Sequence, residues 1–237
     1  MTTKNTTLFI SDLHLDPTEP KIANTFFYFL EHIAPDADAL YILGDFFESY
    51  IGDDDHDPFI ETMIIALSHL TQNGLPVFFL PGNRDFLIGK EFAKRAGITL
   101  IVDPTVITLY GEKILLLHGD SLCTADRSHQ RFRKIVNNKL VQLLFLSLPL
   151  SYRKKIANKL RGNSQQGNRY KSPEIMDVSP GVVDETLARY HVKKMIHGHT
   201  HHSLISEKRI VLDAWHEHGN YLCVGIDGSV RLIEIAH

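Results

Sequence analysis

The chain has 237 residues, enough for one generous domain or one domain carrying an insertion. Hydrophobic residues make up 43% and charged residues 22%, ordinary globular proportions that exclude a disordered, collagen-like or coiled-coil chain. The net charge is −3, but residues 127–171 hold twelve Lys or Arg and no Asp or Glu, leaving 13 basic and 28 acidic residues elsewhere.

Several other classes fall away at once. The longest strongly apolar stretch, residues 140–150, is broken by Gln142, Ser147 and Pro149 and is well short of the roughly 20 residues of a bilayer span. The N-terminus lacks the apolar run and small-residue cleavage site of a secretory signal. Cys123 and Cys223 stand a hundred residues apart and make no disulfide framework, so a reducing cytosol is expected.

Taken in chain order, 7–11 (TLFIS) is a buried strand and 19–33 a helix by its period. A second strand at 39–44 and a helix at 58–71 follow, the helix closed near Asn73-Gly74. Residues 76–80 make a third strand. Residues 86–96 read as a helix ending at Gly97, and 98–102, 106–110 and 113–118 as strands. This β-α-β-α-β order predicts a layered α/β fold with at least a partly parallel sheet. Residues 131–148 then have helical period, Pro149 breaks them, and Ser151 starts a second helix ending at Gly162. Short strands complete the chain at 194–197, 203–206, 209–214, 221–226 and 229–235.

The helical pair is both basic and apolar, with Phe132, Ile135, Val136, Leu140, Leu143, Leu144 and Leu148 on its apolar positions. It reads as a lid inserted at 126–171 between two parts of a catalytic body, 1–125 and 172–237. Such a stripe ordinarily packs on a core. Joined to twelve cations, it fits a surface that meets lipid.

Polar residues sit where predicted strands end. Asp12 and His14 follow the first strand, Asp45 the second, and Gly82-Asn83-Arg84-Asp85 the third. His118 precedes Gly119-Asp120, and His199 and His201 lie in Gly198-His199-Thr200-His201. Residues at i and i+2 of an extended chain point the same way. In open α/β sheets, ligands bind beyond the carboxyl ends of strands. Asp12, His14, Asp45, Asn83, His118, His199 and His201 thus offer seven oxygen and imidazole donors without a thiolate. They are too many for one tetrahedral zinc and suit two harder divalent ions sharing a carboxylate. Asp53-Asp54-Asp55 reads as a solvated loop that positions Asp45, with a third acidic cluster for metal as the alternative. His216 and His218 read as structural or surface residues, and Cys123 carries no nucleophilic role.

The motif order D-x-H, G-D, G-N-x-D, H-G and G-H-x-H resembles that of the calcineurin-like metallophosphoesterases over about residues 6–122 and 190–235. The resemblance implies a layered αββα sandwich with the helical lid inserted in it. Asp12, His14, Asp45 and His201 would hold one metal, and Asp45, Asn83, His118 and His199 the other. Many members carry His after the Asn of the third motif, where this chain has Arg84. That departure argues against ordinary phosphomonoesterase or serine/threonine phosphatase activity. Arg cannot give up a proton near neutral pH but can grip phosphate oxygens, which suits a phosphoanhydride.

Longer blocks at 41–55, 81–90, 118–126 and 171–178 are similar to a bacterial branch of the family that acts in lipid A biosynthesis. That branch cleaves the pyrophosphate of a diacylated sugar nucleotide to UMP and a diacyl sugar 1-phosphate. The resemblance implies two Mn²⁺ per chain and hydroxide attack on the α-phosphorus. It implies a catalytic set of Asp45, Asn83, Arg84 and His199. Substrate contacts would fall on Asn83, Arg84, Asp126, Ser164, Asn168, Lys171 and His199. The expected setting is cytoplasmic and peripheral to the inner membrane, with no nucleic acid and no obligate protein partner. Three rivals stay open: the same fold acting on a dinucleoside polyphosphate, a binding scaffold without metals, and a nucleic-acid binder using the basic segment.

Overall fold

The computed structural model describes residues 5–168 and 177–236, with the side chains of 163–168 outside that description. Strands β1 (Thr6–Ile10), β2 (Ala39–Ile42), β3 (Val77–Phe79) and β4 (Thr99–Leu100) run parallel side by side. They are apolar on both faces because both faces are covered. Period-two alternation decides which cover each residue meets. Leu8, Ile10, Leu40 and Ile42 pack under helices α1 (Pro20–His32), α2 (Pro58–Gln72) and α3 (Lys90–Ala96). Phe9 turns the other way, with Leu43 and Leu80, into a second core.

That second core lies between two sheets. Five strands form the partner sheet in the order β5 (Thr105–Leu109), β6 (Glu112–Leu116), β7 (Lys194–His197), β9 (Arg209–Val211) and β8 (Leu204–Ile205). Ile114 and Leu116 face the first sheet, while Leu115 and Leu117 face outward onto α7 (Val182–Tyr190). The first sheet gains β10 (Gly219–Gly225) and β11 (Val230–Ile235), antiparallel beyond β1. The layers are therefore helices, sheet, sheet, helix: the αββα sandwich.

Between β6 and α7, the described residues include three α-helices, α4 (Arg127–Val136), α5 (Lys139–Leu146) and α6 (Leu150–Asn168). The expected single helix at 131–148 is divided. Asn138 interrupts it, its Oδ1 accepting from the N–H groups of Leu140 and Val141 as the N-cap of α5. The expected stop at Gly162 is also corrected. Glycine weakens a helix by about 1 kcal/mol but does not forbid one, and α6 runs through it. Helix α3 starts four residues later than its period predicts. The Asp53 carboxylate accepts from the N–H groups of Gly89, Glu91 and Phe92, and that cap sets where the helix begins.

The acidic loop 53–55 is thus not a solvated support for Asp45. Asp53 caps α3, Asp54 pairs bidentately with Arg153 of α6, and Asp55 lies 3.1 Å from Lys154. Arg153 is buried and also donates to the carbonyls of Ile51 and Leu148. Phe145 packs on the main core. Leu140, Leu143 and Leu144 remain 71%, 66% and 68% exposed. No described helix is long and apolar enough to cross a membrane.

Candidate metal centre

The carboxyl ends of β1, β2, β3, β6 and β7 open at the same place. Side chains from 187 residues apart meet there because the sheets put those ends together. Two groups result. Asp12, His14 and His201 bring one donor atom each within 4.8 Å of one another, and so do Asp45, His118 and His199. Asn83 joins the second group, its Oδ1 3.0 Å from His118 Nε2. Asp45 lies between the groups, with Oδ2 3.9 Å from His14 Nε2 and Oδ1 3.5 Å from His118 Nε2. Across the first group, His14 Nε2 is 3.4 Å from His201 Nε2, and His201 Nε2 is 3.5 Å from Asp12 Oδ1.

The backbone is bent to make this possible. Seven described residues other than glycine have left-handed φ, and five are Asp12, His14, Asp45, His199 and His201. Such conformations cost of order 1–3 kcal/mol each and persist where the surroundings over-determine them. Here the surroundings are hydrogen bonds between strand ends. The N–H of Asp12 donates to the Gly44 carbonyl at 3.0 Å, and that of His14 to the Asp45 carbonyl at 2.9 Å. The N–H of His199 donates to Asp12 Oδ2 at 2.8 Å, and that of Arg84 to Asp45 Oδ1 at 2.9 Å. Asp85 staples the third loop, accepting from the N–H groups of Phe46 and Gly82, both at 2.7 Å. Gly82 and Gly198 let the chains approach: a Cβ would overlap the Asp45 carboxylate at the first and that of Asp12 at the second.

The electrostatics favour a cation. Asp12 is fully buried, which alone would raise its pKa, but His201, His118 and His14 pull it well below the usual carboxylate range. Burial lowers the pKa of His118, yet Asp45, Asp12 and Asp120 push it up to about 10. His14 is likewise raised against its burial, by Glu48, Asp45 and Asp12. His199 moves the other way, held well below its ordinary value by burial and the neighbouring His118. Asp12 Oδ1 is buried and accepts no hydrogen bond. A buried acceptor without a donor calls for an explanation. With oxygen and imidazole donors at both groups, a pair of hard or borderline divalent ions supplies one.

The remaining predicted positions are distributed as follows. Arg84 lies beside Asp45, with Nη1 3.6 Å from Glu48 Oε1. Asp126 caps α4, accepting from Ser128 Oγ and the N–H of His129. His129 sets its ring 5.3 Å from that of His199, which brings the start of α4 to the centre. Ser164 and Asn168 fall on α6, but their side chains, and Lys171 entirely, lie outside the described residues. Cys123 is buried, and burial with nearby Asp120 pushes its thiol up to about 12, so it is no thiolate.

Other residues around the centre were not among the expected donors. Glu48 reaches His14. Asp85 holds the third loop. Asp120 and Asp103 receive Arg133 of α4 at 2.8 and 3.0 Å. His216 is exposed, as expected, and also reaches this set, with Nε2 3.3 Å from His201 Nδ1. The G-D-x-x-E spacing of Asp45 and Glu48, and the places of Asp85 and Asp120 in their strand-end motifs, are the sequence cues among them.

Known proteins match this arrangement. The family model for calcineurin-like phosphoesterases matches residues 6–203. The chain is 50% identical over 236 residues to the UDP-2,3-diacylglucosamine hydrolase of Serratia proteamaculans, across 96% of this chain and 98% of that one. It is 54% identical over 226 residues to the enzyme of the same name from Pectobacterium carotovorum, across 92% and 94%. Against that of Coxiella burnetii it is 50% identical over 234 residues, across 95% and 96%.

Gly198→Ala tests the close approach. The added Cβ meets Ser11 Oγ and Asp12 Oδ2, so the expected outcome is a loss of about 1–3 kcal/mol in thermal stability. Divalent-metal uptake should weaken with it, because Asp12 must move. A variant with native stability and native uptake would show that this contact does not set Asp12.

Proposed function

This chain belongs to the calcineurin-like phosphoesterase family, and from that premise we propose that it hydrolyses the pyrophosphate bond of UDP-2,3-diacylglucosamine. The products are UMP and 2,3-diacylglucosamine 1-phosphate, with attack at the α-phosphorus. One observation carries the reading: two donor groups stand side by side at a common strand edge with Asp45 between them, Arg84 beside them and a basic, apolar helical segment beyond.

In this reading Asp12, His14, Asp45 and His201 hold one ion and Asp45, Asn83, His118 and His199 the other, both Mn²⁺. The pair, when bound, supplies a nucleophilic water near neutral pH and neutralises phosphate charge. The chain's own groups do the rest. Asn83 Nδ2 and the Arg84 guanidinium donate to the equatorial oxygens of the reacting phosphate, where charge develops. His199, kept neutral by its surroundings, donates from the ring nitrogen not turned to the metal. Asp126, Ser164, Asn168 and Lys171 hold the sugar and the second phosphate. The leaving group is itself a phosphate, with a second pKa of about 6, so no general acid is needed where Arg84 stands.

Residues 126–171 act as the lid. Ion pairs hold the lid to the body while Leu140, Leu143 and Leu144 face outward. Cations on the same helices suit anionic headgroups on the cytoplasmic side of the inner membrane. The apolar side chains of the lid receive the two acyl chains.

Phosphorus NMR of the products in ¹⁸O-labelled water, with Mn²⁺ and detergent-dispersed UDP-2,3-diacylglucosamine, tests the reaction. Label is expected in UMP and absent from the sugar phosphate. Turnover of a soluble dinucleoside polyphosphate in place of the lipid would move the reading to that substrate. Asp45→Ala should remain folded yet lose turnover and metal, and near-normal turnover would sink its shared role. In vesicle sedimentation, the chain should bind vesicles containing anionic lipid and release them as salt rises. Equal binding to neutral vesicles at all salt concentrations would argue against the electrostatic part.

A further inference from the structure

The Glu48 carboxylate touches three elements at once. The N–H of Glu48 donates to the Leu15 carbonyl at 3.1 Å, next to a bridge between Leu15 and Phe47, so its backbone is locked beside the end of β1. Its side chain is only 13% exposed. Oε2 lies 2.8 Å from His14 Nδ1. Oε1 lies 2.9 Å from Arg161 Nε of α6, and 3.6 Å from Arg84 Nη1. Arg161 also reaches Asp16 Oδ2 at 3.2 Å.

We infer that Glu48 is a positioning residue with one task on each oxygen: it aims His14 into the metal centre and seats α6 over it. The inference rests on the two-metal reading above. An imidazole has two nitrogens. A carboxylate 2.8 Å from Nδ1 favours a proton there by its charge and leaves the Nε2 lone pair free, which biases both tautomer and ring direction. His14 Nε2 is the atom that faces His201 and Asp45. His118 obtains the same service from a backbone carbonyl, that of Leu43 at 2.9 Å from Nδ1. For His14 a side chain provides it, and that side chain also receives Arg161. The seat of the lid and the orientation of the histidine therefore depend on one group.

Isothermal titration of the full-length apo chain with Mn²⁺, combined with steady-state kinetics, tests this. The wild type should take up two ions. Glu48→Ala should retain one at native affinity and bind the other about 10–100-fold more weakly, the usual loss for an outer-shell partner. Its KM should rise as well. Arg161→Met should raise KM and leave both Mn²⁺ affinities native. Two native-affinity ions in Glu48→Ala would overturn the inference. So would loss of an ion in Arg161→Met, because the metal effect would then run through the lid rather than through His14. If Glu48→Ala does not fold, Glu48→Asp, which keeps the charge but shortens the reach, is read by the same criteria. A wild type that takes up fewer than two ions would instead overturn the two-metal reading itself.

Discussion

Asp12 and Asp45 lie almost fully buried at the ends of neighbouring parallel strands, and the groups that meet them are histidines and backbone N–H donors. A carboxylate removed from water costs several kcal/mol unless charge and hydrogen bonds answer it. Here the answer is partial: Asp12 Oδ1 is left without a donor, and His14 and His118 are driven toward their protonated forms. The protein holds negative charge ready for a cation, and much of the surrounding structure keeps that charge in place.

The backbone bears part of the load. Left-handed conformations at five of the converging residues are unfavourable one by one, and at Asp12, His14, Asp45 and His199 a bond from another strand end helps to hold them. Gly82 and Gly198 permit the approach, Asp85 ties the third loop to the turn after β2, and Ser11 donates to Asp12. The consequence is rigidity. A site on five strand ends of two packed sheets moves only if the sheets move, so the fold itself sets the spacing of its donors.

The basic segment follows a different logic. Its charges are segregated from the acidic body, and where the two meet they pair: Arg133 with Asp103 and Asp120, Arg153 with Asp54, Arg161 with Asp16 and Glu48. Joined to the body by charge at these points, the segment is free to leave leucines uncovered on α5.

Most of the fold was legible in the sequence, because strands buried on both faces read as short apolar runs and amphipathic helices as 3.6-residue stripes. The convergence of Asp12, His14, Asp45, Asn83, His118, His199 and His201 was legible as well. Each follows a strand, and strand ends of an α/β sheet gather on one edge whatever the loops between them do. The sequence could not tell which polar neighbours would serve those donors. Glu48 and His216 look like ordinary loop residues, and Asp85 and Asp120 like bystanders in their strand-end motifs, until the packing of two sheets brings them to the centre. Nor could it reveal that Asn138 would divide a continuous apolar stripe, or that Asp53 would cap α3 across more than thirty residues. Periodicity records which face of an element is buried. Caps, ion pairs and the aim of an imidazole depend on distances between elements far apart in the chain, and these exist only after the layers have closed.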